Sequence, residues 1–269
     1  MYQKLLNTIH SYQATMICIA FSGGVDSTLV LKACIDSGAE VYPVLFQTVL
    51  HPAAELSEAK KITDEFNIPL QVMKIDEFKY PEILQNSPER CYHCKKALFT
   101  MLSEYTLQNN CDIIVDGTNL DDLSEYRPGL KALKELNIHS PIAESGLSKK
   151  DVRSLCEKFG FAVSKKPSSP CLATRLPYHT LITKEALKMI EAGETALKEL
   201  GFTQVRVRKH NDIARIELLN TEMGKAFSQY RTIASQLKEI GFNYVTLDLE
   251  CFRSGSMDLY IKKENNNGC

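Results

Sequence analysis

Met16-Ile17-Cys18-Ile19-Ala20-Phe21-Ser22-Gly23-Gly24-Val25-Asp26-Ser27 begins as a short apolar run rich in strand formers. It turns on two adjacent glycines, then enters a helical pattern through Leu29, Val30 and Ala33 that stops at Gly38. The stretch therefore reads as strand, tight loop and helix. The alternation continues downstream, with a strand predicted over 41–46, a helix over 54–66, a strand over 70–75, a helix over 95–107 and a strand over 113–115. Strands alternating with helices of this length imply right-handed crossovers and an α/β fold, its parallel sheet covered on both faces.

Ser148 opens a further helix, with Asp151 three residues on as an approximate capping box and Gly160 as its stop. The texture changes at Lys165-Lys166-Pro167-Ser168-Ser169-Pro170, which cannot continue a helix and suits a junction. The boundary is placed there, giving domains 1–170 and 171–269. Beyond Thr183 the pattern predicts a helix to Leu200, alternating runs 205–208 and 213–219 joined by a His-Asn-Asp turn, a helix to Ile240 and a strand from Tyr244 to Phe252. The second domain is thus a smaller α+β unit, and the tail after Ile261 is expected to fray.

The 269 residues exceed the needs of one typical domain, and 44% hydrophobic with 24% charged residues is ordinary globular composition. Lys plus Arg number 32 against 33 Asp plus Glu, so no global positive field gathers nucleic acid or anionic lipid. Neither a signal peptide nor a run long enough to span a membrane is visible, and a cytoplasmic protein is expected. Nine cysteines are many for a reducing compartment, where clustered thiols read as metal ligands or nucleophiles rather than disulfides.

Ser22 to Ser27 lies at the carboxyl end of the first strand and the start of the next helix, where parallel sheets bind ligands. Adjacent glycines let backbone N–H groups approach a phosphate, the helix N-terminus adds partial positive charge, and Ser22 and Ser27 add hydroxyls. Asp26 would repel a bare phosphate, so its natural role is to hold Mg²⁺ against a polyphosphate. No lysine follows the second glycine, so the Walker A pattern is absent, as is the dinucleotide G-x-G-x-x-G.

This hexapeptide resembles the signature of the PP-loop ATP pyrophosphatases, and about the first 165 residues are similar to that superfamily throughout. The resemblance implies ATP cleavage between the α- and β-phosphates, with pyrophosphate held at the loop and AMP placed on a substrate oxygen. Asp116-Gly117-Thr118-Asn119, with Asp121 and Asp122, looks like the second nucleotide-side motif. By the same resemblance the nucleotide ligands are Ala20, Ser22, Gly23, Gly24, Val25, Asp26, Ser27, Phe46, Gly117, Thr118 and Asn119, with Asp26 also catalytic.

Cys91-Tyr92-His93-Cys94 is a C-x-x-C flanked by Arg90, Lys95 and Lys96, and Cys171 stands in Pro170-Cys171-Leu172-Ala173-Thr174-Arg175. Cationic neighbours favour the thiolate, the form that binds metal or attacks. Cys18, Cys34, Cys111, Cys156 and Cys251 read instead as small core hydrophobes. A lone C-x-x-C serves zinc, redox or iron–sulfur chemistry, but no second pair completes a zinc tetrahedron. Three thiolates on a cubane leave one iron open, which can hold an extra sulfide and hand it on. Zinc with a water, and buried cysteines, remain the alternatives.

The loop, the C-x-x-C, Asp116 to Asn119, Glu125-Tyr126-Arg127-Pro128-Gly129 and Pro170 to Arg175 together resemble the LarE family, the pyridinium-3,5-biscarboxylic acid mononucleotide sulfurtransferases, over about residues 5 to 260. The resemblance implies sulfur insertion into that mononucleotide during synthesis of a nickel-pincer cofactor. A carboxylate attacks ATP, and sulfur then displaces AMP to leave a thiocarboxylate. In sacrificial members the cysteine matching Cys171 surrenders its own sulfur. Cys91 and Cys94 resemble the other branch, where three cysteines (Cys91, Cys94, Cys171) hold a [4Fe–4S] cluster and an external donor supplies sulfur. Arg206 and Arg208 alternate by two on a strand and so share a face. The resemblance makes them substrate-phosphate ligands, with Glu194 a nearby partner or metal ligand, while Arg175 beside Cys171 is a further candidate. His210 reads as surface, and the family implies a homo-oligomer.

Three other readings stay open: a PP-loop tRNA thiolase, a nitrogen-transferring synthetase of the NAD or GMP type, and a universal-stress-type ATP sensor without turnover. Near-zero charge weighs against the first, and the three thiols have no work in the other two.

Overall fold

The structure, a computed structural model, describes residues 1–124, 126–167, 170–253 and 255–256. Glu125, Ser168, Ser169 and the tail after Ile261 lie outside the described residues. The chain forms two compact units, one of Met1–Lys79 with Glu89–Ser168 and the other of Tyr80–Pro88 with the chain from Ser169 on. No change of composition marks Tyr80–Pro88 as part of the second unit. It is tied there by backbone bonds from His179 to Asn86 and from Ile182 to Leu84, and by Asn86 Nδ2 donating to the Pro177 carbonyl at 2.8 Å.

In chain order the first unit runs α1 (Tyr2–Ser11), β1 (Met16–Ala20), α2 (Val25–Asp36), β2 (Glu40–Gln47), α3 (Ala54–Glu65) and β3 (Gln71–Lys74). The short α4 (Pro81–Leu84) belongs to the second unit. The first resumes with α5 (Arg90–Gln108), β4 (Ile113–Val115), α6 (Gly129–Glu135), α7 (Pro141–Glu144) and α8 (Lys149–Lys158). Its four strands are all parallel, in the order β3-β2-β1-β4. Ile17, Ile19 and Phe21 alternate onto one face, where Leu29 and Val30 of α2, Ala59 of α3 and Val152 of α8 close the core. Phe46, next to the core residue Leu45 and so on the other face, meets Phe99 of α5 with ring centroids 5.8 Å apart. The chain leaves β1 toward β2 and β3 and returns to β4 on the other side, making the carboxyl ends of β1 and β4 the switch-point crevice.

The second unit continues with α9 (Lys184–Glu199), β5 (Arg206–His210), β6 (Ile213–Glu217), α10 (Met223–Ser228), α11 (Tyr230–Ile240) and β7 (Tyr244–Leu247). Its sheet order is β5-β6-β7, and its core gathers Val207, Ala214, Ile216, Leu237 and Phe242.

Several expectations need correction. The helix expected from Lys95 begins at Arg90, because Tyr92 and His93 already donate to the Glu89 carbonyl at 2.9 and 3.2 Å, and the C-x-x-C is therefore helical. The strand expected to reach Phe252 ends at Leu247. Asp248 Oδ1 accepts from Glu250 N at 2.9 Å, and Cys251 takes a left-handed φ of 62°. Cys111 and Cys251 are partly exposed rather than core residues. His210 is half-buried, its Nε2 accepting from Arg215 Nε at 3.2 Å, and burial with the Arg215 charge lowers its pKa. No helix among the described residues is long and apolar enough to cross a membrane.

Candidate active site

Gly23 turns the chain out of β1 with φ +67°, and a Cβ there would stand 2.9 Å from the Cα of Ala59. Only glycine satisfies both conditions. Gly24 caps α2 in an extended conformation, so the N–H groups of the first turn face the crevice. Ser27 Oγ and Thr28 Oγ1 donate to the Gly24 carbonyl at 3.1 and 2.9 Å, and Ser22 Oγ lies 3.3 Å from Ser27 Oγ. Ser22 is exposed, Asp26 half-buried, Val25 and Ser27 buried, and Ala20 ends β1 beside them.

The second loop follows β4. A Cβ on Gly117 would lie 3.0 Å from Ser27 N and 3.1 Å from Asp26 Cβ, so the two loops are in contact and Gly117 permits it. Asp116 is buried and turns inward, accepting from Thr118 Oγ1 at 2.6 Å and Ser140 Oγ at 2.7 Å, with Lys95 Nζ at 3.5 Å. Its role is to shape the loop. Asn119 Nδ2 donates to Asp26 Oδ1 at 3.3 Å, joining the motifs. Asp122 accepts from Asn119 N at 3.1 Å and pairs with Arg127 at 2.8 Å; burial, with the Asp26 charge adding to it, raises its pKa. The other Asp26 oxygen bonds Lys149 Nζ, a contact sequence reasoning missed. Asp26 has the hard oxygen that Mg²⁺ prefers, so the donor chemistry fits that ion once Lys149 yields the oxygen.

Cys91 and Cys94 lie three residues apart near the start of α5 and so on one helix face, Cys91 exposed and Cys94 half-buried. The guanidinium of buried Arg90 lies 3.7 Å from Cys91 Sγ. Cys171 belongs to the second unit, where it precedes the short helical turn Leu172–Arg175. Two thiols on one turn suit a soft metal. Among the described residues, however, no three His, Cys, Asp or Glu side chains gather into a metal-holding group. Burial pushes the thiols of Cys34 and Cys156 up to about 12, which keeps them protonated and inert.

In the second unit Arg206, Arg208, Arg215 and Glu217 alternate onto the sheet face opposite Val207, Ala214 and Ile216. Arg206, Arg208 and Glu217 are nonetheless buried. Arg208 Nη2 donates to Glu217 Oε2 at 2.7 Å and Nη1 to the Thr174 carbonyl at 2.8 Å, leaving buried Nε without a partner. Arg206 stacks 5.4 Å from the Phe252 ring, and burial with the Arg175 and Arg208 charges lowers its pKa to about 10, still cationic at neutral pH. Arg175 is spent on Glu194 and on the backbone around Cys171. Glu217 and its partners Arg215 and Ser256 were invisible in the sequence, where Glu217 reads as one polar position of an alternating strand.

Residues 1–127 match the PP-loop domain family. A pyridinium-3,5-bisthiocarboxylic acid mononucleotide synthase of Lactiplantibacillus plantarum is 37% identical over 92% of this chain and 90% of its own length. The chain belongs to the LarE family. An uncharacterized protein of Methanocaldococcus jannaschii is 35% identical over 93% of this LarE-family chain and 96% of that protein. The tRNA-specific 2-thiouridylase MnmA of Rickettsia bellii stands further off, at 25% identity over 68% of this chain and 60% of the enzyme.

Proposed function

We propose that this protein adenylylates a carboxylate of pyridinium-3,5-biscarboxylic acid mononucleotide and converts it to a thiocarboxylate. The observation that carries the reading is the Gly23–Gly24 turn set against Gly117 and Asn119 at the switch point, in a chain of this family. The substrate carboxylate attacks the α-phosphorus of ATP, and the bond to the β-phosphate oxygen breaks to release pyrophosphate. A sulfur nucleophile then adds to the acyl carbon, and AMP leaves with the former carboxylate oxygen.

The N–H groups of the loop and the hydroxyls of Ser22 and Ser27 bind the departing pyrophosphate. Asp26 would hold the Mg²⁺ that neutralises polyphosphate charge. Arg206 and Arg208 bind the phosphate of the mononucleotide, and the unsatisfied, buried Nε of Arg208 supports an anion there. Arg175 and Glu194 hold the Cys171 segment rather than touching substrate. Cys91, Cys94 and Cys171 would hold a [4Fe–4S] cluster, whose chemistry is to pass on externally supplied sulfur without consuming a cysteine. The alternative is sacrifice of the Cys171 sulfur without a cluster.

Pyrophosphate release tests the reading. The mononucleotide should trigger it and bulk tRNA should not; release on tRNA alone would mean a thiolase.

A further inference from the structure

Two buried arginine–carboxylate pairs of the second unit are built differently. Arg175 takes Glu194 in a full fork, Nε on Oε1 at 2.8 Å and Nη2 on Oε2 at 3.1 Å. Arg208 takes Glu217 in half of one: Nη2 donates to Oε2 at 2.7 Å, while Nε, equally buried, has no partner. Two parallel bonds hold a guanidinium more strongly than one, and Glu217 is fully buried with nothing else to gain from solvent. Something therefore keeps Glu217 from closing the second bond.

The second oxygen is already claimed. Ser256 Oγ donates to Glu217 Oε1 at 2.7 Å, and Arg215 Nη2 stands 3.4 Å from it. Arg215 lies directly opposite Arg208 in the β5–β6 register and two residues before Glu217 on β6, so the three share one face of the sheet. Like charges placed opposite each other across a ladder cost stability, so folding alone gives no reason for an arginine at this position. Arg215 is nonetheless fixed there from two further directions, Nη1 donating to Asp248 Oδ2 at 2.6 Å and Nε to His210 Nε2 at 3.2 Å. Glu217 is thus divided between two guanidiniums, one oxygen for each.

We propose that Arg215 is a positioning residue for anion binding: by drawing Glu217 Oε1 toward itself, it leaves Arg208 Nε free of the carboxylate and able to donate to a phosphate oxygen. Glu217 still orients the Arg208 guanidinium through Nη2 but does not saturate it. Arg215 itself does not touch the ligand, and Ser256 supports it by occupying the same oxygen. The inference rests on the reading of Arg208 as a ligand of the substrate phosphate.

Calorimetric titration with the pyridinium mononucleotide, and with the same nucleoside lacking its phosphate, isolates the phosphate contact. Arg215→Met should weaken mononucleotide binding about tenfold, the scale of one charge-assisted hydrogen bond, and leave nucleoside binding unchanged. A merely structural role would lower the melting temperature and shift both ligands alike. Ser256→Ala, which vacates the same oxygen without removing a charge, should give a smaller loss of the same kind, and it carries the test should Arg215→Met fail to fold. Glu217→Gln has no carboxylate to close the fork, so Arg215→Met should add nothing in that background, whereas a direct phosphate contact by Arg215 would keep its full loss there. A mononucleotide loss below about twofold, a loss shared by the nucleoside, or one that persists in Glu217→Gln overturns the proposal. Wild-type protein that binds mononucleotide and nucleoside equally overturns the phosphate reading itself, so the two failures are separable.

Discussion

Arg175 grips both oxygens of Glu194, Nε at 2.8 Å and Nη2 at 3.1 Å, and gives Nη1 to the carbonyls of Pro170 and Cys171 at 2.6 and 3.1 Å. One buried guanidinium therefore ties α9 to the backbone that presents Cys171. Removing one partner strands a buried charge at a cost of about 3–5 kcal/mol. Arg175→Met should lower the urea midpoint accordingly, and Arg175→Lys, which cannot reproduce the fork, should recover only part. A midpoint unchanged in Arg175→Met would refute the clamp.

Gly23 and Gly38 both have positive φ, +67° and +82°, but a Cβ meets the α3 backbone at Gly23 and open space at Gly38. Gly38→Ala should cost only the backbone strain, about 1 kcal/mol. Gly23→Ala should cost clearly more in urea denaturation and abolish nucleotide binding by displacing α3. Equal stability losses would show that the close approach to Ala59 carries no weight.

Glu77 is fully buried; Oε2 accepts from Val49 N at 3.3 Å and Oε1 has no partner. Burial raises its pKa. A carboxyl with a raised folded-state pKa favours folding while protonated, and that contribution is lost as pH climbs from the unfolded value through the folded one. Glu77→Gln should therefore raise the melting temperature relative to wild type at about pH 8 and have little effect at about pH 4, below the ordinary carboxyl range. An identical shift at both pH values would contradict this.

Iron and acid-labile sulfide, measured on anaerobically prepared protein, distinguish the two sulfur routes. The cluster requires loss of both in Cys91→Ser, Cys94→Ser and Cys171→Ser alike. Iron-free wild type, with Cys171 converted to dehydroalanine after one turnover, would establish the sacrificial route instead.

The glycine-turn half of the candidate site was legible as a strand–loop–helix unit because its signals are local. Gly23 and Gly24 sit between a strand pattern and a helix pattern, and Ser148 and Asp151 announce a cap that the structure forms. Lys149 was not legible: it touches Asp26 across more than a hundred residues, and on a charged helix one lysine resembles its neighbours. The start of α5 was hidden because Glu89 is not a favoured capping residue, which left the C-x-x-C outside the helix predicted from Lys95. Arg206 and Arg208 were placed on one strand face by their spacing. Arg208 is buried against Glu217, a pairing that no periodicity reveals.

Isotope transfer in a single turnover puts the account to its most direct trial. With both carboxylates of the mononucleotide labelled with oxygen-18, adenylylation at a substrate carboxylate requires AMP to carry one labelled oxygen for each thiocarboxylate formed. Thiocarboxylate accompanied by unlabelled AMP, or formed with ADP and phosphate as products, would contradict it.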